Sequence, residues 1–277
     1  MQYTEVEFTL QPAEPWNDLL AAELGEIGFE SFVTTETGLL AYIETSAFDE
    51  EKMKTAETLS DERVISSYKH QLYEAQNWNE EWEKNFSPIE VDDRCLVYAS
   101  FHNVEKSFDY RILIDPKMSF GTGHHATTYL MLQALLDLDV SNQRVLDMGC
   151  GTAVLAILAR MKGASYVQAI DNNEWAYTNS KENVAKNNLT QIDVVLGELE
   201  AIEKVPFQTI LANINKNIII DQIATYSEKL ISGGKLLTSG FYEFDIPDIR
   251  AAAEKCGLTF VQSNTERTWC VIQFSKP

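Results

Sequence analysis

Val145-Leu-Asp147-Met-Gly149-Cys-Gly151-Thr-Ala153 reads as a strand that breaks into a glycine turn and restarts as a helix. Glycine there lets the backbone come close to a bound ligand, and ligands of such sheets sit beyond the carboxyl ends of the strands. Two details narrow the ligand. Val154 stands where the dinucleotide pattern G-x-G-x-x-G has its third glycine. Asp147, two residues before Gly149, would repel a pyrophosphate but suits the ammonium of an amino-acid ligand. S-adenosylmethionine carries such a group and no phosphate, so Asp147, Gly149 and Gly151 are read as donor-binding residues. A nicotinamide oxidoreductase is the weaker reading.

Strands and helices alternate outward from this turn. The hydrophobic spacing predicts strands over residues 144–148, 166–171, 193–196, 209–213 and 235–239, with helices over 127–138, 153–162, 174–187 and 216–231. That order implies a parallel sheet covered on both faces. Late strands over 258–262 and 269–274 read as a closing antiparallel hairpin. Asp171 ends the second strand, twenty residues after Gly151, where an acid accepts hydrogen bonds from ribose hydroxyls. Glu198, after the third strand, is a candidate neighbour of the adenine. Asn213 ends the fourth, at the ligand edge, where its amide can accept from a substrate amine without favouring the unreactive ammonium. Asn213 is the candidate catalytic residue.

The loop Ile114-Asp-Pro-Lys-Met-Ser-Phe120-Gly121-Thr-Gly123-His124-His125-Ala-Thr127-Thr128 lacks the G-K-[ST] ending of a phosphate loop. It is placed to cover the donor, with Phe120 among its contacts. Adjacent histidines without an H-E-x-x-H pattern exclude a zincin site, and no metal is expected.

The amino-terminal third reads differently. Strands over 3–10, 31–35, 39–44 and 63–72 and helices over 15–27 and 48–60 give the order β-α-β-β-α-β, a ferredoxin-like pattern. Residues 73–92 form a polar connector in which Trp78, Trp82 and Phe86 share one face of a short helix. The expected domains are therefore 1–72, a connector 73–92, and 93–277.

The chain of 277 residues has a formal net charge of −20. Residues 1–87 hold 19 acids against 5 bases, a net −14. This field disfavours nucleic acid and favours a basic partner. No run of about 18 apolar residues spans a membrane, the start is acidic rather than cationic, and four scattered cysteines fit a reducing compartment. A cytoplasmic protein is expected.

Taken together, the Asn77-Trp-Asn-Glu-Glu-Trp82 connector, the Phe120-Gly-Thr-Gly-His-His-Ala-Thr-Thr128 loop, the Leu146-Asp-Met-Gly-Cys-Gly151 turn and Ala212-Asn213-Ile214 resemble the ribosomal protein L11 methyltransferase family (PrmA type). The resemblance runs along essentially the whole chain. It implies a Rossmann-like seven-stranded class I methyltransferase sheet with a small ferredoxin-like α+β domain. It also implies donor contacts at Thr128, Gly149, Asp171 and Asn213, and methylation of lysine ε-amines and the α-amine of ribosomal protein L11. The small domain would grip that protein and the connector would let the domains reorient. Two residues depart from the family pattern: Ala153 replaces the usual third glycine, and Lys117 replaces a common glycine. If Ala153 closed the pocket, the chain would be a non-catalytic acidic binding protein. Another basic protein, or an RNA, is the alternative substrate.

Overall fold

Alternation of apolar and polar residues along β1 (Tyr3–Gln11) buries Val6, Phe8 and Leu10 and turns their neighbours outward. This strand is the centre of the first of two units into which the chain divides, 1–86 and 87–277, in a computed structural model that describes residues 3–73, 86–115, 117 and 119–277. Trp78 and Trp82 of the connector lie outside the described residues. The first unit continues with α1 (Trp16–Ile27), β2 (Ser31–Thr35), β3 (Gly38–Glu44), α2 (Glu50–Met53) and β4 (Ile65–Tyr73). Its strands pair antiparallel in the order β2-β3-β1-β4, which is the ferredoxin-like arrangement. Leu20 and Leu24 of α1 and Met53 of α2 pack on Val6, Phe8, Leu39 and Ile43.

The helix expected over 48–60 is shorter than its spacing suggests. Asp49 caps α2, accepting from the backbone N–H of Glu51 and Lys52. The Thr55 hydroxyl then donates to the Lys52 carbonyl at 2.7 Å, and the Thr58 N–H donates to the Glu23 carboxylate instead of a helical carbonyl. Local side-chain bonds thus compete with the helix, and a 3₁₀ turn over Glu57–Ser60 replaces its second half.

In the second unit β5 (Ile89–Val91), β6 (Cys95–Tyr98) and β7 (Tyr110–Leu113) make a small separate sheet. The strand at β5 falls in the segment read as connector, so this unit takes in residues from Ser87 onward. The chain then runs α3 (Ala126–Asp137), β8 (Arg144–Met148), α4 (Val154–Met161), β9 (Tyr166–Asp171), α5 (Glu174–Lys186), β10 (Ile192–Leu196), β11 (Phe207–Asn213), α6 (Lys216–Lys229), β12 (Leu230–Tyr242), α7 (Ile246–Lys255), β13 (Thr259–Glu266) and β14 (Trp269–Ser275). These last seven strands form one sheet, β10-β9-β8-β11-β12-β14-β13. β8 to β12 are mutually parallel, and β14 is antiparallel to both its neighbours.

Alternate residues of each strand feed two apolar clusters. Val145, Leu211, Leu237 and Val271 join Leu130, Leu135 and Ile157 of α3 and α4. Leu146, Ile210, Leu236 and Ile272 join Ile219, Ile223 and Ile249 of α6 and α7. The sheet is therefore covered on both faces, as the near-continuous apolar strands require. β8 pairs with β9 on one side and β11 on the other; this reversal of strand order marks the place where α/β sheets bind ligands.

Candidate active site

The carboxyl ends of β8, β9, β11 and β12 converge on two neighbouring cavities. The first, of about 260 Å³, is lined by Met148, Gly149, Asp171, Glu198, Ile214 and Ile218, among others. The second, of about 240 Å³, is lined by Phe120, His125, Thr127, Asn213, Ile214, Asn215, Gly240 and Trp269. Ile214 belongs to both walls.

The turn after β8 is held by its own backbone demands. Gly151 has φ 56°, and a Cβ there would stand 2.3 Å from the Phe120 carbonyl oxygen. The loop before α3 lies against it: Thr152 donates its N–H to that carbonyl at 2.9 Å and its hydroxyl to the Gly121 carbonyl at 2.6 Å. Gly151→Ala combines a left-handed alanine with a backbone collision, so it is expected to cost about 2–3 kcal/mol. Chemical denaturation of the variant measures this, and unchanged stability would mean that the turn has no such constraint.

Asparagines spaced one helical turn apart, Asn179 and Asn183 on α5 and Asn187 at its C-cap, fasten β7 and this turn together. Asn187 exchanges two hydrogen bonds with Leu113. Asn183 accepts from the Asp115 N–H and donates to the Thr152 carbonyl, and Asn179 donates to the Asp115 carbonyl. Lys117 forms an ion pair with Glu182 on the same helix, which gives this departure from the family pattern a place in the loop's attachment. Ala153 also has a left-handed backbone, φ 65°, and is fully buried at the base of α4. It belongs to neither cavity wall, so its methyl does not close them.

Asp171 ends β9 with both oxygens engaged by the chain: Oδ2 accepts from the Gly151 N–H and Oδ1 from the Asn173 N–H, each at 2.9 Å. Both oxygens retain lone pairs for a ligand in the first cavity. Glu198 lies across that cavity, where Oε1 accepts from the Asn172 amide at 3.0 Å.

Asn213 ends β11. Its Nδ2 donates to the Thr128 hydroxyl at 3.3 Å, and its Oδ1 is buried without a partner among the described residues. Thr128 thus fixes which edge of the amide is left to accept. Gly240 makes room behind it: with φ 102°, a Cβ would stand 2.2 Å from the Ile214 carbonyl oxygen. This glycine sits where the β12–β14 register shifts, and it lets β12 approach the Asn213–Asn215 segment.

Of the residues singled out in the sequence, Gly149 and Asp171 line the first cavity, Phe120 and Asn213 the second, and Gly151 and Thr128 are hydrogen-bonded to members of these walls. Asp147 differs from expectation. It is 1% exposed and absent from both walls; its Oδ2 accepts from the Ala156 N–H at 3.0 Å beneath α4, and its Oδ1 has no partner among the described residues. The turn folds over it, so it supports the site from below. Ile218 and Trp269 were not singled out, and His125 and Ile214 were named only within motifs, without a cavity role. His125 accepts from the Thr127 N–H as the cap of α3, and Trp269 opens β14 after a hairpin; the sequence signals these structural roles but not their place in the cavity.

Burial pushes the Asp147 carboxyl up to about 7, the nearby Asp171 charge adds to this, and the Ala156 N–H opposes it. With an unfolded value near 4, the unfolded chain releases a proton that the folded protein keeps as pH rises from about 4 to 7. Stability from this group is present below that window and lost through it. Asp147→Asn removes the titration, so its melting temperature relative to the parent protein should rise by roughly 5 °C between pH 4 and pH 8. A difference independent of pH in thermal melts would exclude this ionisation.

The strand order, the turn after β8 and the paired cavities define a class I methyltransferase. Residues 19–277 match the family model described as ribosomal protein L11 methyltransferase (PrmA). The chain is 47% identical over 280 residues to the ribosomal protein L11 methyltransferase of Bacteroides fragilis, covering 99% of each chain. It is 45% identical to that of Porphyromonas gingivalis, over 97% of this chain and 93% of the relative. A crystal structure of ribosomal protein L11 methylase from Lactobacillus delbrueckii subsp. bulgaricus superposes with a TM-score of 0.65 at 26% identity, covering 69% of this chain and 99% of that one. The chain belongs to the ribosomal protein L11 methyltransferase family.

Proposed function

We propose that the protein transfers methyl groups from S-adenosylmethionine to ribosomal protein L11, at lysine ε-amines and the N-terminal α-amine. The observation that carries this reading is the buried Oδ1 of Asn213, without a partner among the described residues, beside two cavities that share the Ile214 wall. The donor fits the first cavity: Asp171 would accept from its ribose hydroxyls, Glu198 would lie by its base, and the Gly149 and Gly151 turn would let it approach. Asp147 and Phe120 would act on the donor less directly, Asp147 from beneath the turn and Phe120 from the loop above it. When bound, the donor supplies an electrophilic methyl on a sulfonium.

The chain's own residues have to present a neutral amine. A free lysine of pKa ~10.4 is neutral only about one part in a thousand near pH 7.4, a cost of roughly 4 kcal/mol. Desolvation in the second cavity lowers that cost. The Asn213 oxygen would accept one N–H and aim the lone pair, without the charge that would hold the proton on nitrogen. No strong base is needed, and positioning supplies most of the acceleration. The first unit would hold the basic substrate: its sheet carries Glu5, Glu7 and Glu44 on outward positions, and residues 1–87 have a net charge of −14. No helix among the described residues is long and apolar enough to cross a membrane. A cytoplasmic location would put the enzyme with this substrate, and nucleic acid is not expected to bind directly.

The test is intact-mass analysis of purified basic ribosomal proteins and ribosomal RNA after incubation with enzyme and donor. Mass increments of single methyl groups confined to protein L11 are expected. Increments on RNA alone, or on another protein, would overturn the substrate assignment.

A further inference from the structure

Five rings run without a gap along the second cavity and outward from it, with Phe244 76% and Phe120 54% exposed at the two ends. Phe244 stacks on Tyr242 with centroids 5.2 Å apart and planes 24° from parallel. Tyr242 lies 4.2 Å from Trp269, Trp269 4.7 Å from His125, and His125 5.2 Å from Phe120. The inner three rings line the cavity that Asn213 also lines. The outer two do not, and both are exposed, Phe244 to 76% and Tyr242 to 39%. The row exists because β12 and β14 pair antiparallel with Tyr242 opposite Trp269, and a 3₁₀ turn over Glu243–Asp245 then carries Phe244 outward.

An exposed aromatic row of this kind has a surface negative in character, since each ring face attracts cations. Carboxylates flank it. Glu243 is adjacent in sequence, and Glu266 is paired in register with Trp269; neither is in an ion pair among the described residues. Lys216, at the start of α6, is committed to Asp245 and Asp248 at 2.7 and 2.6 Å, and Arg267 of the β13–β14 turn leaves Glu243 and Glu266 as the acidic majority beside the rings. Rings and acids together fit the aliphatic stem and cationic head of lysine, and the row is continuous with the cavity where the reacting amine would sit.

We propose that Phe244 and Tyr242 form the outer part of the acceptor's entry path, a subsite that holds a basic polypeptide segment next to the amine being methylated. This rests on the function proposed above, and it adds a specificity surface on the catalytic unit itself. The subsite acts on the protein substrate alone: the first cavity contains neither ring.

The test uses the full-length protein, S-adenosylmethionine and recombinant ribosomal protein L11. Phe244→Leu keeps an apolar side chain at an exposed position but removes the ring. It is expected to raise KM for the protein about three- to fivefold, the size of an exposed cation–π contact, with kcat and donor Kd unchanged. Phe244→Trp is expected to restore the parent KM. An unchanged KM in Phe244→Leu, with the parent enzyme methylating L11 normally, would overturn the subsite and leave the function standing. Donor binding without methylation of L11 by the parent enzyme would overturn both.

Discussion

Replacing Asn213 by Ala is expected to lower kcat by about 10²–10³-fold while the protein stays folded and binds the donor. The residue ends a buried strand, and among the described residues its oxygen has no partner and its side chain bonds only to Thr128. Loss of one preorganised polar group at a reacting centre typically costs that much. Asn213→Asp is the more informative variant because it keeps shape and acceptor geometry while adding charge. A carboxylate beside the substrate amine stabilises the ammonium and raises the amine's pKa. The variant should therefore be impaired most at neutral pH and recover as pH rises toward 9.5, whereas Asn213→Ala should be impaired at every pH. Steady-state rates at saturating donor and acceptor, from pH 7 to 9.5, distinguish the two. Parallel profiles for Asp and Ala would remove the neutral amide from its proposed part in presenting the amine.

The positions of the residues proposed for the donor could be read from the sequence because they depend on backbone requirements. Gly151 must be glycine wherever the turn approaches Phe120, and Asp171 and Asn213 follow from being the last residues of strands whose ends share one edge. Asp147 lies beneath the turn and outside both cavity walls. Its position along the chain was clear, but the sequence does not say which side of the turn a strand's penultimate residue faces, and α4 starts above it. Of the second cavity, the sequence indicated Phe120 and Asn213 but not the rings beside them. Trp269 meets His125 and Tyr242 only through the pairing of β12 with β14 and the capping of α3, contacts between segments far apart in sequence. Helix α7 was missed although Pro247 follows Asp245, and Ile249 and Ala253 sit one turn apart on its buried face, because short elements with few apolar residues leave little periodic signal.

Asp171→Ala is expected to weaken S-adenosylmethionine binding by about 100-fold. Hydrogen bonds to a charged group contribute about 1.5–3 kcal/mol each, and this carboxylate has lone pairs for both ribose hydroxyls after serving the Gly151 and Asn173 N–H groups. The same replacement releases the Gly151 N–H, so part of the loss would come through the turn. Asp171→Asn separates these contributions: it retains an acceptor for one N–H and one hydroxyl but has no charge, and an intermediate loss of about tenfold is expected. Isothermal titration with the donor gives both numbers, and the KM for the acceptor protein should change little because Asp171 is absent from the second cavity. Glu198 is the discriminating control. It faces the same space, and among the described residues its carboxylate accepts only from the Asn172 side chain, so Glu198→Gln should cost less than Asp171→Asn. Donor affinity unchanged by Asp171→Ala but lost in Glu198→Gln would transfer the ribose contact to the third strand's acid. The donor would then lie deeper toward β10 than the turn after β8 implies, and the second cavity would have to deliver the amine across a longer path than Ile214 alone provides.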